Sequence, residues 1–276
     1  MSNFVEPRAH NSGLTPAHRL HWPLFILFLI SCVSACLLTT LQIKLPLHWR
    51  WLESLFVVLA TGTTLVSLAR RLPVQNVATI AVLIVLIAGA VEWLGALSGI
   101  PFGEHTFTDN LGTRLGDTLP WPIPVAWIVV ILTCRDVARL ILRPWRKLAH
   151  YGFWVIGLAA VLVVLLDLGV EPYATLVKHY WLWTPTERAW NWHGAPWVNF
   201  LGAFLTTGFI LVISTPWLIN KRPAPQPPDY HPLVLWLLLN FLLITGNATH
   251  HLWLAAGVSL MVSVGITVFA LRGARS

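Results

Sequence analysis

Eight apolar runs, at about 23–41, 52–69, 77–97, 122–134, 151–170, 197–219, 232–246 and 251–271, alternate with short polar stretches along the chain. Most approach the roughly 20 residues that carry a helix across about 30 Å of hydrocarbon. They are too apolar for a helix with one wet face and fit a helix surrounded by lipid. The pattern predicts an all-α, polytopic transmembrane bundle of about eight spans. A single transmembrane domain over 23–271 would lie between cytoplasmic tails at 1–22 and 272–276. The fourth and seventh runs are short and could be tilted or re-entrant, so seven spans stay open. No internal repeat is evident, and the Pro-rich stretch from Arg222 to Pro228 reads as a loop.

Composition agrees: 56% of residues are hydrophobic and only 11% charged, against about 25% in an ordinary soluble domain. The net charge of +7 does not point to nucleic acid, because the basic residues lie in short blocks between apolar runs. With eight spans, Arg8, Arg19, Arg70, Arg71, Arg135, Arg139, Arg143, Arg146, Lys147, Lys221, Arg222, Arg272 and Arg275 share one side. Lys44, Arg50, Arg114, Lys178 and Arg188 fall on the other. The bias predicts a cell-membrane protein with both termini cytoplasmic. Eight of the 11 acids, among them Glu53, Glu92, Glu104, Asp109, Asp167 and Glu171, lie toward the non-cytoplasmic face, and many of the 16 tryptophans with them. That face is where chemistry is expected.

Two acids interrupt apolar runs. Glu92 follows an uncharged stretch from Val77 to Val91, and Asp167 follows one from Phe153 to Leu166. An ionised carboxylate at such depth costs several kcal/mol, so each is paired, protonated or beside a wet cavity. A neutral carboxylic acid in an apolar site is a usable general acid. Asp167 and Glu171 are four apart, hence on one helical face, with Pro172 expected to close the helix. The plainer alternative places both acids at the interface, paired with Arg188 or Lys178. Small residues around Glu92 (Gly89, Ala90, Gly95, Ala96) let helices approach closely or leave room for a slender ligand.

Two long loops on the acidic face, from Gly99 to Pro124 and from His179 to Gly202, are rich in Gly, Pro and aromatic residues, a composition more often functional than spacer. Asn199 enters the sixth span as a polar group that needs a partner. No phosphate-binding glycine motif is present, no histidine cluster has metal-ligand spacing, and no aspartate pair suits a magnesium diphosphate. Cys32, Cys36 and Cys134 lie within or beside apolar runs and form no CxxC pair.

The residues of these loops resemble the integral-membrane carotenoid biosynthesis proteins, a family that includes carotenoid 1,2-hydratases. One matching block runs from Glu92-Trp93-Leu94-Gly95 through Gly99-Ile100-Pro101-Phe102-Gly103, with Phe107, Thr108, Gly112 and the Pro124 and Trp127 pair. The other holds Asp167, Glu171-Pro172, Tyr180-Trp181, Trp183, Gly194, Pro196, Asn199-Phe200 and Gly202. The chain departs from the family's usual pattern at His105, where an aromatic is common, at Glu171 for Asp, and at Ala203 for Trp. The resemblance implies acid-catalysed hydration of the acyclic end of a lipid-dissolved carotenoid, a reaction that needs no cofactor and no metal. A carboxylic acid would protonate the terminal C1–C2 alkene, and a second carboxylate would take a proton from the water that captures the tertiary cation. Glu92 and Asp167 are the expected acid and base, in an order left open, with Glu171 and Asp109 in reserve and Asn199 positioning water. Trp93, Phe102, Phe107, Tyr180, Trp181, Trp183, Trp197 and Phe200 would line the substrate, their ring faces stabilising the cation. Expected partners are the carotenoid, membrane lipid and other carotenoid biosynthesis enzymes. A lycopene-cyclase-like or other polyene-modifying enzyme, and a transporter or carotenoid-binding subunit, stay open as alternatives.

Overall fold

A computed structural model describes residues 16–43, 46–185, 190–219 and 227–275. Arg8, Lys44, Glu187, Arg188, Lys221, Arg222 and most of the Pro-rich loop lie outside the described residues, as does most of the N-terminal tail. Among the described residues eight long helices form: α1 Pro16–Thr40, α2 Trp51–Ala69, α3 Val74–Ser98, α4 Pro122–Ile141, α5 Tyr151–Pro172, α6 Trp197–Leu218, α7 His231–Thr249 and α8 Trp253–Arg275. The polytopic all-α expectation holds. Every apolar run becomes a helix, including the two short ones, which reach 20 residues in α4 and 19 in α7. Helices outrun their apolar runs because polar residues continue the backbone hydrogen-bond ladder at either end.

Seven of the eight are long and apolar enough to cross a membrane. The eighth, α4, carries Arg135, Asp136 and Arg139 near its end. It is the bundle's central helix, packed against α2, α3, α5, α7 and α8, and most of its side chains are buried. A helix covered on all sides can hold charges that a lipid-facing one cannot, provided they are paired. They are: Asp136 binds Arg135 at 2.7 Å and Arg71 at 3.2 Å, and Asp229 takes Arg71 at 2.9 Å and Arg70 at 3.1 Å. The outer helices turn large apolar side chains outward, as lipid requires, with Leu86, Phe153 and Met261 all more than 60% exposed.

Close backbone approach fixes α8 on α4. A Cβ at Gly273 would collide with the carbonyl oxygens of Leu140 and Ile141. Gly273→Ala is therefore expected to cost about 1–3 kcal/mol, seen as a lower thermal midpoint of the detergent-solubilised protein. A midpoint equal to the parent's would show that the two helices separate freely.

Pro172 ends the α-helical part of α5, but the helical chain does not stop there. The chain continues in a wider π-helical turn over Tyr173–Val177. Proline removes the N–H that would have bonded the Leu168 carbonyl and crowds the turn beneath it. The freed carbonyls find side-chain donors instead: Trp192 Nε1 gives to Leu168 at 2.8 Å, and Asn247 Nδ2 to Gly169 at 3.0 Å. The proline thereby ties the second long loop to α5.

Both long loops lie at one end of the bundle, since successive helices alternate in direction, and short strands order them. These are β1 His105–Phe107, β2 Arg114–Leu115, β3 Leu119–Pro120, β4 Trp181–Trp183, β5 Asn191–Trp192 and β6 Ala195–Pro196. Strands β2–β3 and β5–β6 are local hairpins, whereas β1 and β4 join the two loops antiparallel, with His105 opposite Trp183 and Phe107 opposite Trp181.

Candidate active site

The joined loops roof a cavity of about 140 Å³ between the ends of α3, α4, α5 and α6. Its walls are mostly apolar, with Phe102, Phe107, Ile123, Val130, Val163 and Leu166 among them. Into it project Glu92 from α3, Asp167 and Glu171 from α5, Asn199 from α6, His105 from β1, and Trp181 and Trp183 from β4.

Phe102 seals one wall because two helices leave it room. Side chains at Gly95 on α3 or Gly202 on α6 would press on opposite edges of its ring, at 2.9 and 2.8 Å. Gly99, left-handed at φ 73°, ends α3 and turns the chain into this loop.

Each of the three acids, Glu171 buried and Glu92 and Asp167 half-buried, accepts from at least one N–H. Trp127 Nε1 gives to Glu92 Oε1 at 2.8 Å. The Asn199 amide nitrogen bridges two carboxyl groups, reaching Asp167 Oδ2 at 2.9 Å and Glu171 Oε1 at 2.8 Å. Glu171 Oε2 also accepts from Trp183 at 2.8 Å and Trp181 at 3.2 Å. The α-helical spacing from Asp167 to Glu171 puts both within reach of one amide, as the shared face predicts. Three acids, an amide and three indoles thus form a polar patch inside an apolar chamber. Such a chamber can hold a hydrocarbon chain end while confronting it with proton donors and acceptors.

Not every residue singled out in the sequence reaches this cavity. Asp109 pairs with Arg114 at 2.8 Å, with its side chain 70% exposed. Trp93 packs outside the cavity with Phe107, Leu111, Leu119 and Ile123. Trp197 is largely exposed, and Phe200 is buried without lining the space. The Tyr180 hydroxyl donates to Glu53 Oε2 at 2.6 Å, and burial together with the Glu53 charge holds its phenol well above the ordinary value, so it stays a donor. Lys178 pairs with Glu53 at 2.6 Å, not with Asp167 or Glu171. Conversely, Trp127 and His105 line the cavity although the sequence marked neither as a site residue. Trp127 sits on α4, five residues from the apolar run's start, and its bond to Glu92 is what distinguishes it from a core aromatic.

The family model described as carotenoid biosynthesis protein matches residues 52–266, a stretch that contains every residue of the cavity. The chain belongs to that family. A bisanhydrobacterioruberin hydratase of Haloarcula japonica is 24% identical over 187 residues, covering 67% of this chain and 61% of the relative. The match thus spans less than two thirds of that relative's length. No solved structure matches.

Proposed function

We propose that this chain hydrates the acyclic end of a carotenoid, adding water across its terminal C1–C2 double bond. What carries the reading is the convergence of Glu92, Asp167, Glu171 and Asn199 on one apolar-walled cavity, in a family devoted to carotenoid synthesis. The polyene lies in the bilayer and enters between helices, bringing only its end to the acids.

In this scheme Glu92, held by a single donor from Trp127, gives its proton to the less substituted alkene carbon. The alkene's π electrons form the new C–H bond and leave a tertiary cation. Glu171, with three N–H groups directed at it, is the fixed counter-charge. The Trp181 and Trp183 rings flank the same space and stabilise the cation without adding to it. Water attacks the cation, and the Asp167 carboxylate, held in place by Asn199, positions that water and takes its proton. The proton returns from Asp167 to Glu92 through cavity water, and no cofactor takes part.

The bundle would sit in the cell membrane as one domain over 23–271, with cytoplasmic termini and the cavity toward the opposite face. Association with other carotenoid biosynthesis enzymes would deliver the substrate.

Expression in a bacterium that accumulates lycopene tests the reaction. Pigments gaining the mass of one or two waters, with oxygen from labelled water, are expected. An isomer of unchanged mass would point to cyclisation instead, and unaltered lycopene would count against hydration of this acyclic end.

A further inference from the structure

His105 is buried at 5% exposure in the wall of the cavity, its ring edge-on to Phe107 at 4.9 Å and tilted against Trp183 at 5.0 Å. Its Nδ1 lies 2.9 Å from the Gly103 carbonyl. A carbonyl oxygen can only accept, so Nδ1 carries the hydrogen, and the neutral ring presents a bare lone pair at Nε2. Burial lowers the basicity of this imidazole below the ordinary histidine value, which keeps the ring neutral at neutral pH. Among the described residues no donor reaches Nε2.

The other polar groups of the cavity sharpen the point. The Asn199 amide hydrogens are both engaged by carboxylates, and the indole N–H groups of Trp127, Trp181 and Trp183 are engaged by Glu92 and Glu171. Apart from an acid's own proton, what remains uncommitted is acceptor capacity: carboxyl oxygens and Nε2. Such a site suits a small molecule that donates two hydrogen bonds. Water that donates both hydrogens keeps its lone pairs free for an electrophile.

We propose that in this chain, which has His105 where the family commonly has an aromatic, His105 Nε2 and the Asp167 carboxylate accept the two hydrogens of the attacking water, making His105 a catalytic residue particular to this protein that commits the cation to capture by water. This rests on the hydration reading. The atoms balance as follows: one proton passes from Glu92 to carbon, the C–O bond forms from a water lone pair, and one water proton passes to Asp167. His105 keeps its Nδ1 hydrogen and stays neutral throughout. Without it the cation still forms but loses a proton to return to an alkene.

The test uses membranes of lycopene-accumulating cells carrying the full chain, incubated in heavy water labelled with heavy oxygen. The parent protein must first yield labelled alcohol; if it does not, the hydration reading fails and not the role of His105 within it. His105→Phe is expected to form alcohol roughly tenfold more slowly. Deuterium should still enter the recovered polyene, because protonation and its reversal continue. His105→Gln, which restores an acceptor oxygen, should recover part of the alcohol. If His105→Phe does not accumulate, His105→Leu takes its place in the comparison with Gln. Alcohol formation within twofold of the parent in the Phe or Leu variant overturns the proposal. So does a parallel fall of alcohol and deuterium entry with Gln no better, which is the signature of a packing role.

Discussion

Glu92→Gln is expected to reduce hydration of an acyclic carotenoid end by about 10²–10⁴-fold, the range in which a positioned general acid contributes. Glutamine is nearly the same shape, and its side-chain oxygen can still accept from Trp127, which holds Glu92 Oε1 at 2.8 Å. What it lacks is an ionisable proton. Membrane abundance and thermal midpoint should therefore stay close to the parent's while labelled alcohol disappears from the pigment extract. Asp167→Asn removes the proton acceptor and should also be impaired. Its deuterium entry should survive better than that of Glu92→Gln, because the cation still forms. The reverse pattern would exchange the roles of the two acids. Product formation by a Glu92→Gln, Asp167→Asn double variant at the parent's rate would remove both from the mechanism.

Asp136→Ala should be the most damaging single change to stability, at about 3–5 kcal/mol, the usual result of stranding one partner of a buried ion pair. Arg135 and Asp136 each keep only 9% of their side-chain surface exposed, and they meet at 2.7 Å. Arg71 would keep Asp229 at 2.9 Å. Among the described residues, Arg135 would keep only the Leu218 carbonyl at 3.1 Å for a full charge inside the bundle. The expected observation is a sharp loss of folded protein from the membrane and a much lower midpoint in what survives. Arg135→Met on top of Asp136→Ala should win back much of the loss, since an apolar side chain of similar length needs no counter-ion. A midpoint unmoved by Asp136→Ala would mean that water already solvates the pair.

Much of this was legible from residue order. Lipid imposes one demand on every span, a long run of apolar side chains with backbone groups bonded internally, so hydropathy alone located all eight helices. The same demand made Glu92 and Asp167 conspicuous as carboxyl groups with no cheap place to go. Spacing placed Asp167 and Glu171 on one face. Pro172 was legible only in part: a missing N–H is a local property, but whether the helix stops depends on outside donors, and Trp192 and Asn247 supply them.

His105 and Trp127 show where residue order runs out. Trp127 lies within an apolar run and His105 between Glu104 and Thr106 in a loop, and in neither place does anything local separate a lining residue from a packed one. Asp109 shows the converse, an acid in a suggestive loop that folding turns outward to Arg114. The sequence by itself determined the apolar helices, the side-to-side imbalance of charge and the presence of acids within the spans, because these follow from solvation residue by residue. Only the tertiary structure decided that α4 lies at the centre, that β1 and β4 join two distant loops, and that one asparagine holds two carboxylates over a cavity. Those depend on contacts between segments far apart in the chain, and no local periodicity encodes a distance across the bundle.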